Sequence, residues 1–172
     1  MKHQLPLIGV DVKVFVIKNK NMIRYVDGNL LDLADEGNFD VIAHGCNCFC
    51  VMGSGIAPQI KAKYPEAYEV DCATTSGDIN KLGTITHTVN TTPIVVNIYS
   101  QYDTKGRRQG KIDLDYDALR SGLREVKAKF SGKRIGMPKI GAGLAGGDWN
   151  IIEKIIEEEM RGEYVTIVNY VP

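Results

Sequence analysis

The chain has 172 residues, with 21 basic and 21 acidic side chains and a formal net charge of zero. At about 150 residues per domain this predicts one domain, 1–172, large enough to bury a core without a disulfide or metal staple. A composition of 44% hydrophobic and 24% charged residues excludes disorder, the balanced charge leaves no electrostatic footprint for nucleic acid or an anionic membrane, and no apolar run approaches the roughly 20 residues that span a bilayer.

In chain order, Val10, Val12, Val14 and Val16 alternate with other residues and predict an N-terminal strand. Asp11 and Lys13 interrupt that apolar stretch, so residues 1–20 read as a strand extension, not a secretion signal. Met22 to Val26 is a second strand, ended by Asp27-Gly28, and Val41 to His44 a third, bounded by Gly45. Ile56, Ile60 and Tyr64 then recur every four residues, predicting a helix. Pro58 is tolerated only in a first turn, so that helix starts near Gly55. Pro65 closes it and opens another through Thr74. Leu82 to Val89 and Pro93 to Ser100 read as strands. From Asp115 to Phe130, Tyr116, Leu119, Leu123, Val126 and Phe130 form one helical stripe, stopped by Gly132. Lys133 to Ile140 is a strand. Asp148 is placed to cap a helix carrying Ile151, Ile152, Ile155, Ile156 and Met160, ended by Gly162, and Tyr164 to Val171 is a last strand. Alternating strands and helices imply an α/β sandwich with a largely parallel sheet. The N-terminal strand pair predicts a mixed sheet.

Cys46, Cys48 and Cys50 alternate in one segment, and Cys72 stands apart. Bridges between such near neighbours are strained, so a reduced, cytoplasmic protein is the expectation. His44 with the three cysteines lacks the second ligand cluster of a structural zinc site; no metal and no cofactor are expected. The thiols read as small packing residues.

Two segments share a design: HGCNCFCVMGSGIA at 44–57 and IGAGLAGGDW at 140–149. Each follows a predicted strand and opens a predicted helix, where an α/β sheet presents its ligand crevice. Helix N-termini there offer unpaired N–H groups, and glycine lets a bound group approach the backbone closely. One such turn alone is as well explained by tight packing. Two together favour phosphate binding, and they let a charge-neutral protein hold a diphosphate without a lysine. Neither turn is a dinucleotide fingerprint or a P-loop.

With these residues in place, the chain from Ile23 onward resembles the macro domain family. The matching pieces are VDGNLLD, FDVIAHGCNCFCVMGSGIAPQIKAKYP, VVNIYSQ and IGMPKIGAGLAGGDW, in family order. The segment HGCNC…GSGIA…YP is most similar to the branch of small ADP-ribose 1''-phosphate phosphatases and ADP-ribosyl hydrolases. The resemblance implies a three-layer α/β/α sandwich with a mixed, largely parallel sheet, and ADP-ribose in the crevice.

Carried over residue by residue, the resemblance places Gly53, Ser54, Gly55 and Ile56 in the first diphosphate loop. Gly141, Ala142, Gly143, Leu144, Ala145 and Gly146 fall in the second. Asn29 matches an Asp that contacts adenine, which an amide oxygen would do without charge; it reads equally as a turn Asn after Gly28. Asn47 matches an Asn that meets the distal ribose. His44 is shared with the phosphatase branch, and a side chain titrating near neutrality suits proton transfer; the alternative is a satisfied His at a strand end. Two departures matter. Hydrolases acting on glutamate or DNA carry a catalytic Lys where Ser100 and Gln101 stand, and protein hydrolases carry an Asp where Ala145 stands. Asp148 lies nearby but reads as a helix cap, and Lys105, Arg107, Arg108 and Lys111 read as a solvated loop unless they close on a terminal phosphate. The leading expectation is a metal-independent phosphatase acting on ADP-ribose 1''-phosphate, with His44 catalytic. The alternatives are an ADP-ribosyl hydrolase acting on protein or nucleic acid and a non-enzymatic ADP-ribose reader. A monomer is expected, with no membrane partner and nucleic acid only as an ADP-ribosylated substrate.

Overall fold

The segment Ile94–Gln101, IVVNIYSQ, is β-branched at four positions and buried along nearly its whole length, as a central strand must be. It is β4 of the sheet. The computed structural model describes residues 23–172; the strand expected over Val10–Val16 lies outside them. The remaining strands are β1 (Ile23–Gly28), β2 (Val41–Asn47), β3 (Ile85–His87), β5 (Arg134–Pro138) and β6 (Tyr164–Tyr170). The helices are α1 (Leu30–Asp35), α2 (Ala57–Lys63), α3 (Pro65–Cys72), α4 (Tyr116–Phe130) and α5 (Trp149–Glu159), with 3-10 turns at Ile79–Lys81 and Gly106–Gln109.

Among the described residues the strand order is β1-β6-β5-β2-β4-β3. Every pair is parallel except β3 with β4. The sheet is mixed, as expected; among the described residues its antiparallel member is β3, and the first strand of the expected N-terminal pair lies outside them. Side chains alternate across the pleat, so Val41 and Ala43 face one core and Ile42 the other. The first core is closed by α4 and α5 through Leu119, Leu123, Val126, Ile152, Ile155 and Ile156. Each such fully buried side chain contributes about 1.5–3 kcal/mol. The second is closed by Leu30, Leu31, Leu33, Ile60 and Ala67, from α1, α2 and α3. Helices on both faces of the sheet make the three layers.

Predicted elements recur with shifted ends. Asp148 caps α5 by accepting from Asn150 N–H at 2.8 Å, and Asp115 caps α4 by accepting from Ala118 N–H at 2.9 Å. The strand expected over Leu82–Val89 shrinks to Ile85–His87, because only there does β4 offer antiparallel partners. Gly45 does not end β2: pairing with β4 carries the strand through it to Asn47. A helix absent from the sequence reading, α1, follows β1 directly, and Asn29 caps it by accepting from Leu31 and Asp32 N–H at 2.9 and 3.2 Å.

Candidate functional site

The C-terminal ends of β2, β4 and β5 open into a crevice of about 440 Å³. One wall is the loop after β2, with Asn47, Val51, Ser54, Gly55 and Ile56; the facing wall is the loop after β5, with Gly141, Gly143, Leu144 and Ala145. The two glycine turns of the sequence therefore do meet. Gly141 has φ +75°, and a Cβ there would stand 2.9 Å from the Leu114 side chain. A larger residue is thus excluded by both backbone and space. The backbone N–H groups of Ser54, Gly55, Ile56, Gly143, Leu144 and Ala145 make no hydrogen bond among the described residues. All six residues line the crevice. Unpaired donors on facing loops form an anion cradle without a charged side chain.

Gly53, Ala142 and Gly146 shape these loops without lining the crevice. Asn29 does not line it either. The Asn29 oxygen is occupied by the two N–H groups of α1, so the amide presents donors, not the acceptor that contact with an adenine amino group requires. Asn47 lines the crevice, and its amide pins the loop by donating to Val51 O at 2.8 Å and accepting from Phe49 N–H at 2.9 Å.

His44 lies at the crevice floor with 1% of its surface exposed. Its Nε2 is 2.6 Å from Asn97 Oδ1. Asn97 Nδ2 donates to Ala67 O at 2.9 Å and Thr86 Oγ1 at 3.0 Å. A carbonyl only accepts, so the amide orientation is fixed and Oδ1 faces the imidazole. His44 must then carry its proton on Nε2, and Nδ1 keeps the lone pair, with Cys46 Sγ 3.8 Å away. Burial is the largest influence on the ring and lowers its pKa below the ordinary histidine value, against smaller opposite pulls from Asn97 and Asp71.

The chain of hydrogen bonds runs on behind the crevice. The Thr86 hydroxyl lies 2.9 Å from Tyr99 OH, which donates to Asp71 Oδ1 at 2.8 Å. Asp71 faces Lys81 Nζ at 3.5 Å, with both side chains buried. Burial holds the Tyr99 phenol protonated far above its usual range.

Cys46 lines the crevice, its Sγ 3.5 Å from His44 Nε2. Burial pushes its thiol well up, so it is no nucleophile at neutral pH. Cys48 is buried and Cys50 half-buried, and neither lines the crevice, so the packing role expected at its floor falls to Cys46.

The sequence reading left the third wall unassigned. Ser100, Gln101, Thr104, Arg107, Arg108 and Asp113 line it, from the end of β4 and the loop beyond. Asp113 Oδ1 accepts from Gly106 N–H at 2.7 Å and closes that loop on itself. Arg107 and Arg108, read as a solvated loop unless they close on a terminal phosphate, stand at the crevice. No lysine follows β4 at the crevice; the lysine that lines it is Lys139, at the end of β5. The signal available in sequence was the basic run from Lys105 to Lys111 after a buried strand.

A model of the macro domain family matches residues 43–156. An uncharacterized 17.5 kDa protein of Enterobacteria phage T4 is 34% identical over 164 residues, covering 88% of this chain and 98% of its own. The ADP-ribose 1''-phosphate phosphatase of Scheffersomyces stipitis is 28% identical over 169 residues, covering 80% of this chain and 94% of that protein. The DNA ADP-ribosyl glycohydrolase of Mycobacterium tuberculosis is 30% identical over 138 residues, 77% of this chain but only 37% of that protein. A solved structure of a protein of unknown function from Bacteroides thetaiotaomicron superposes with a TM-score of 0.71 at 29% identity, over 88% of this chain and 99% of that one.

Proposed function

The chain belongs to the macro domain family, and on that premise we propose that it binds ADP-ribose and hydrolyses ADP-ribose 1''-phosphate to ADP-ribose and phosphate without a metal. The observation that carries the reading is the set of unpaired N–H groups on the two facing loops, with a neutral histidine at the floor between them. The diphosphate lies against the N–H groups of Ser54, Gly55, Ile56, Gly143, Leu144 and Ala145. Its charge is met by preorganised dipoles that need no rearrangement as the reaction proceeds. Asn47 holds the loop beside the distal ribose. Arg107 and Arg108 border the crevice and offer charge-assisted bonds to a terminal phosphate.

His44 then acts through Nδ1. Its Nε2 proton is committed to Asn97, so Nδ1 is the atom that takes a proton from water attacking the phosphorus. The bond between phosphorus and the C1'' oxygen breaks, and that oxygen leaves as a hydroxyl by taking the proton that His44 received, which restores the neutral ring. The relatedness to the Scheffersomyces stipitis phosphatase over 80% of this chain and 94% of that protein supports this reaction.

The relatedness to the Mycobacterium tuberculosis glycohydrolase supports a second reading, release of ADP-ribose from a nucleic acid. Lys139 at the crevice would serve there in place of a lysine after β4. Calorimetric titration with ADP-ribose, then phosphate release from ADP-ribose 1''-phosphate with and without a chelator, tests the first reading. The expected result is chelator-insensitive release that falls in His44→Ala. Binding without release, together with loss of ADP-ribose from modified DNA, moves the assignment to the second. Binding with neither activity leaves a reader of ADP-ribose.

A further inference from the structure

Behind the crevice, Lys81 is a lysine that the proposed reaction does not use. Its side chain is 6% exposed, and its Nζ is held by Asp71 at 3.5 Å and by the Cys48 carbonyl at 3.2 Å. It also lies 4.6 Å from the centre of the Tyr99 ring. These contacts aim it at one further atom, Cys50 Sγ, at 3.5 Å. Cys50 Sγ in turn donates to Asp71 O at 3.4 Å and stands 3.8 Å from Thr74 Oγ1. A thiol and an amine are thus fixed in contact, with a buried carboxylate beside the amine.

The other thiols lack this arrangement. Burial raises the pKa of Cys46 and Cys48 and keeps them as inert thiols. Cys72 is exposed, and its partner is the Tyr68 hydroxyl. Cys50 is half-buried, so a small oxidant reaches it, and among the described residues it is the one with an amine against its sulfur.

We propose that Cys50 and Lys81 form an oxidant-responsive pair: a peroxide converts the Cys50 thiol to a sulfenic acid, and the Lys81 amine captures it as a sulfenamide. In the first step the thiol and hydrogen peroxide give Cys50–SOH and water; sulfur is oxidised by two electrons and the O–O bond is reduced. In the second step the Lys81 ammonium passes a proton to Asp71. The Nζ lone pair attacks the sulfenic sulfur, the S–O bond breaks, and hydroxide leaves with a proton from nitrogen as water. The net change is the loss of two hydrogens and a new S–N bond. Because the reacting atoms are already in contact, capture is intramolecular and outpaces attack by thiols in solution. The cross-link removes the positive charge that faces Asp71, and Asp71 accepts from the Tyr99 hydroxyl. Oxidation at Cys50 therefore reaches the hydrogen-bond chain that ends on His44.

The test is intact mass and non-reducing peptide mapping of the whole chain after exposure to hydrogen peroxide. The expected product has lost two hydrogens, resists trypsin at Lys81, joins the Cys50 and Lys81 peptides, and reverts with dithiothreitol. Lys81→Arg is expected to accumulate one oxygen on Cys50 that dimedone captures, and Cys50→Ser to show neither product. Uptake of oxygen at Cys72 with Cys50 untouched overturns the proposal. So does a two-hydrogen loss that survives Lys81→Arg, which marks a disulfide. Should Lys81→Arg fail to fold, Cys46→Ser, Cys48→Ser and Cys72→Ser make the same distinction: the cross-link persists in all three, whereas a disulfide disappears from at least one.

Discussion

Asn97→Asp is expected to reverse the direction in which His44 makes stability depend on pH. In the native chain the Asn97 oxygen meets His44 Nε2–H at 2.6 Å, and its amide donates to Ala67 O and Thr86 Oγ1. Burial, the largest influence, holds the His44 pKa below its ordinary 6.5. As pH falls, the unfolded chain takes up this proton first. The contribution to stability is complete above pH 6.5 and is lost as pH falls through the folded pKa. One proton allows a slope of at most about 1.4 kcal/mol per pH unit.

An Asp at position 97 puts a carboxylate where the amide oxygen sits. An opposite charge in contact favours the imidazolium and raises the folded pKa above 6.5. The stability from that pairing is complete below the unfolded value and is lost as pH rises through the raised folded one. The carboxylate has no N–H to give Ala67 O, and a buried acceptor left unpaired costs about 1–3 kcal/mol. The variant is therefore less stable than the parent at about pH 8, and the gap narrows as pH is lowered to about 5.5. Urea unfolding at several pH values measures the gap, and the His44 ring resonances report its charge directly. A gap that stays constant or widens on acidification refutes the assignment of a neutral His44 with its proton on Nε2.

Gly141→Ala places a Cβ at φ +75° and 2.9 Å from Leu114. It is expected to lower stability by about 1–3 kcal/mol and to weaken ADP-ribose binding, and an unchanged thermal melt with unchanged affinity argues against the loop geometry. Arg107→Ala combined with Arg108→Ala is expected to weaken binding of ADP-ribose 1''-phosphate by about 1.5–3 kcal/mol for each charge-assisted bond lost. Calorimetry should find a smaller loss for ADP-ribose itself, and equal losses would remove the terminal phosphate from these arginines. Asn29→Asp keeps the cap of α1 and adds a negative charge at its N-terminus. The expected gain of about 0.3–1 kcal/mol in a thermal melt becomes a loss if the side chain is not the cap.

What could be read from sequence followed from periodicity. α4 and α5 carry long apolar stripes, and β4 is a largely apolar run between turn residues, so each announced itself locally. α1 did not, because LLDLAD is shorter than two turns and too apolar to show a face. Gly45 ended β2 in the sequence reading because glycine breaks strands in isolation, but pairing with β4 on one side decides the matter. The glycine turns were legible, since the backbone they require is written in residue type. The hydrogen-bond chain behind His44 was not. It joins residues 44, 97, 86, 99, 71 and 81 from five elements, and sequence offers only one hint of it, a polar Asn97 inside the apolar run of β4.

The balance of 21 basic and 21 acidic residues takes on a different meaning once the charges have positions. Acidic side chains are drawn away from the crevice by partners elsewhere. Glu158 and Glu159 of α5 pair with Arg120 and Arg124 of α4, Asp40 pairs with Arg134, and Asp71 is buried against Lys81. Among the residues lining the crevice, Arg107, Arg108 and Lys139 face a single carboxylate, Asp113, and that one is turned onto the Gly106 N–H. His44 adds no charge near neutral pH. The crevice is thus locally cationic in a neutral protein, and its facing loops add backbone dipoles of the same sign. A sum over the chain hides that field because the ligand sees only the charges within about a Debye length, near 8–10 Å at ordinary ionic strength. Two sources of attraction also predict different salt responses. The share carried by Arg107 and Arg108 should fade as salt rises, while the share carried by the close N–H contacts should persist, leaving a salt-resistant affinity that belongs to the two glycine turns.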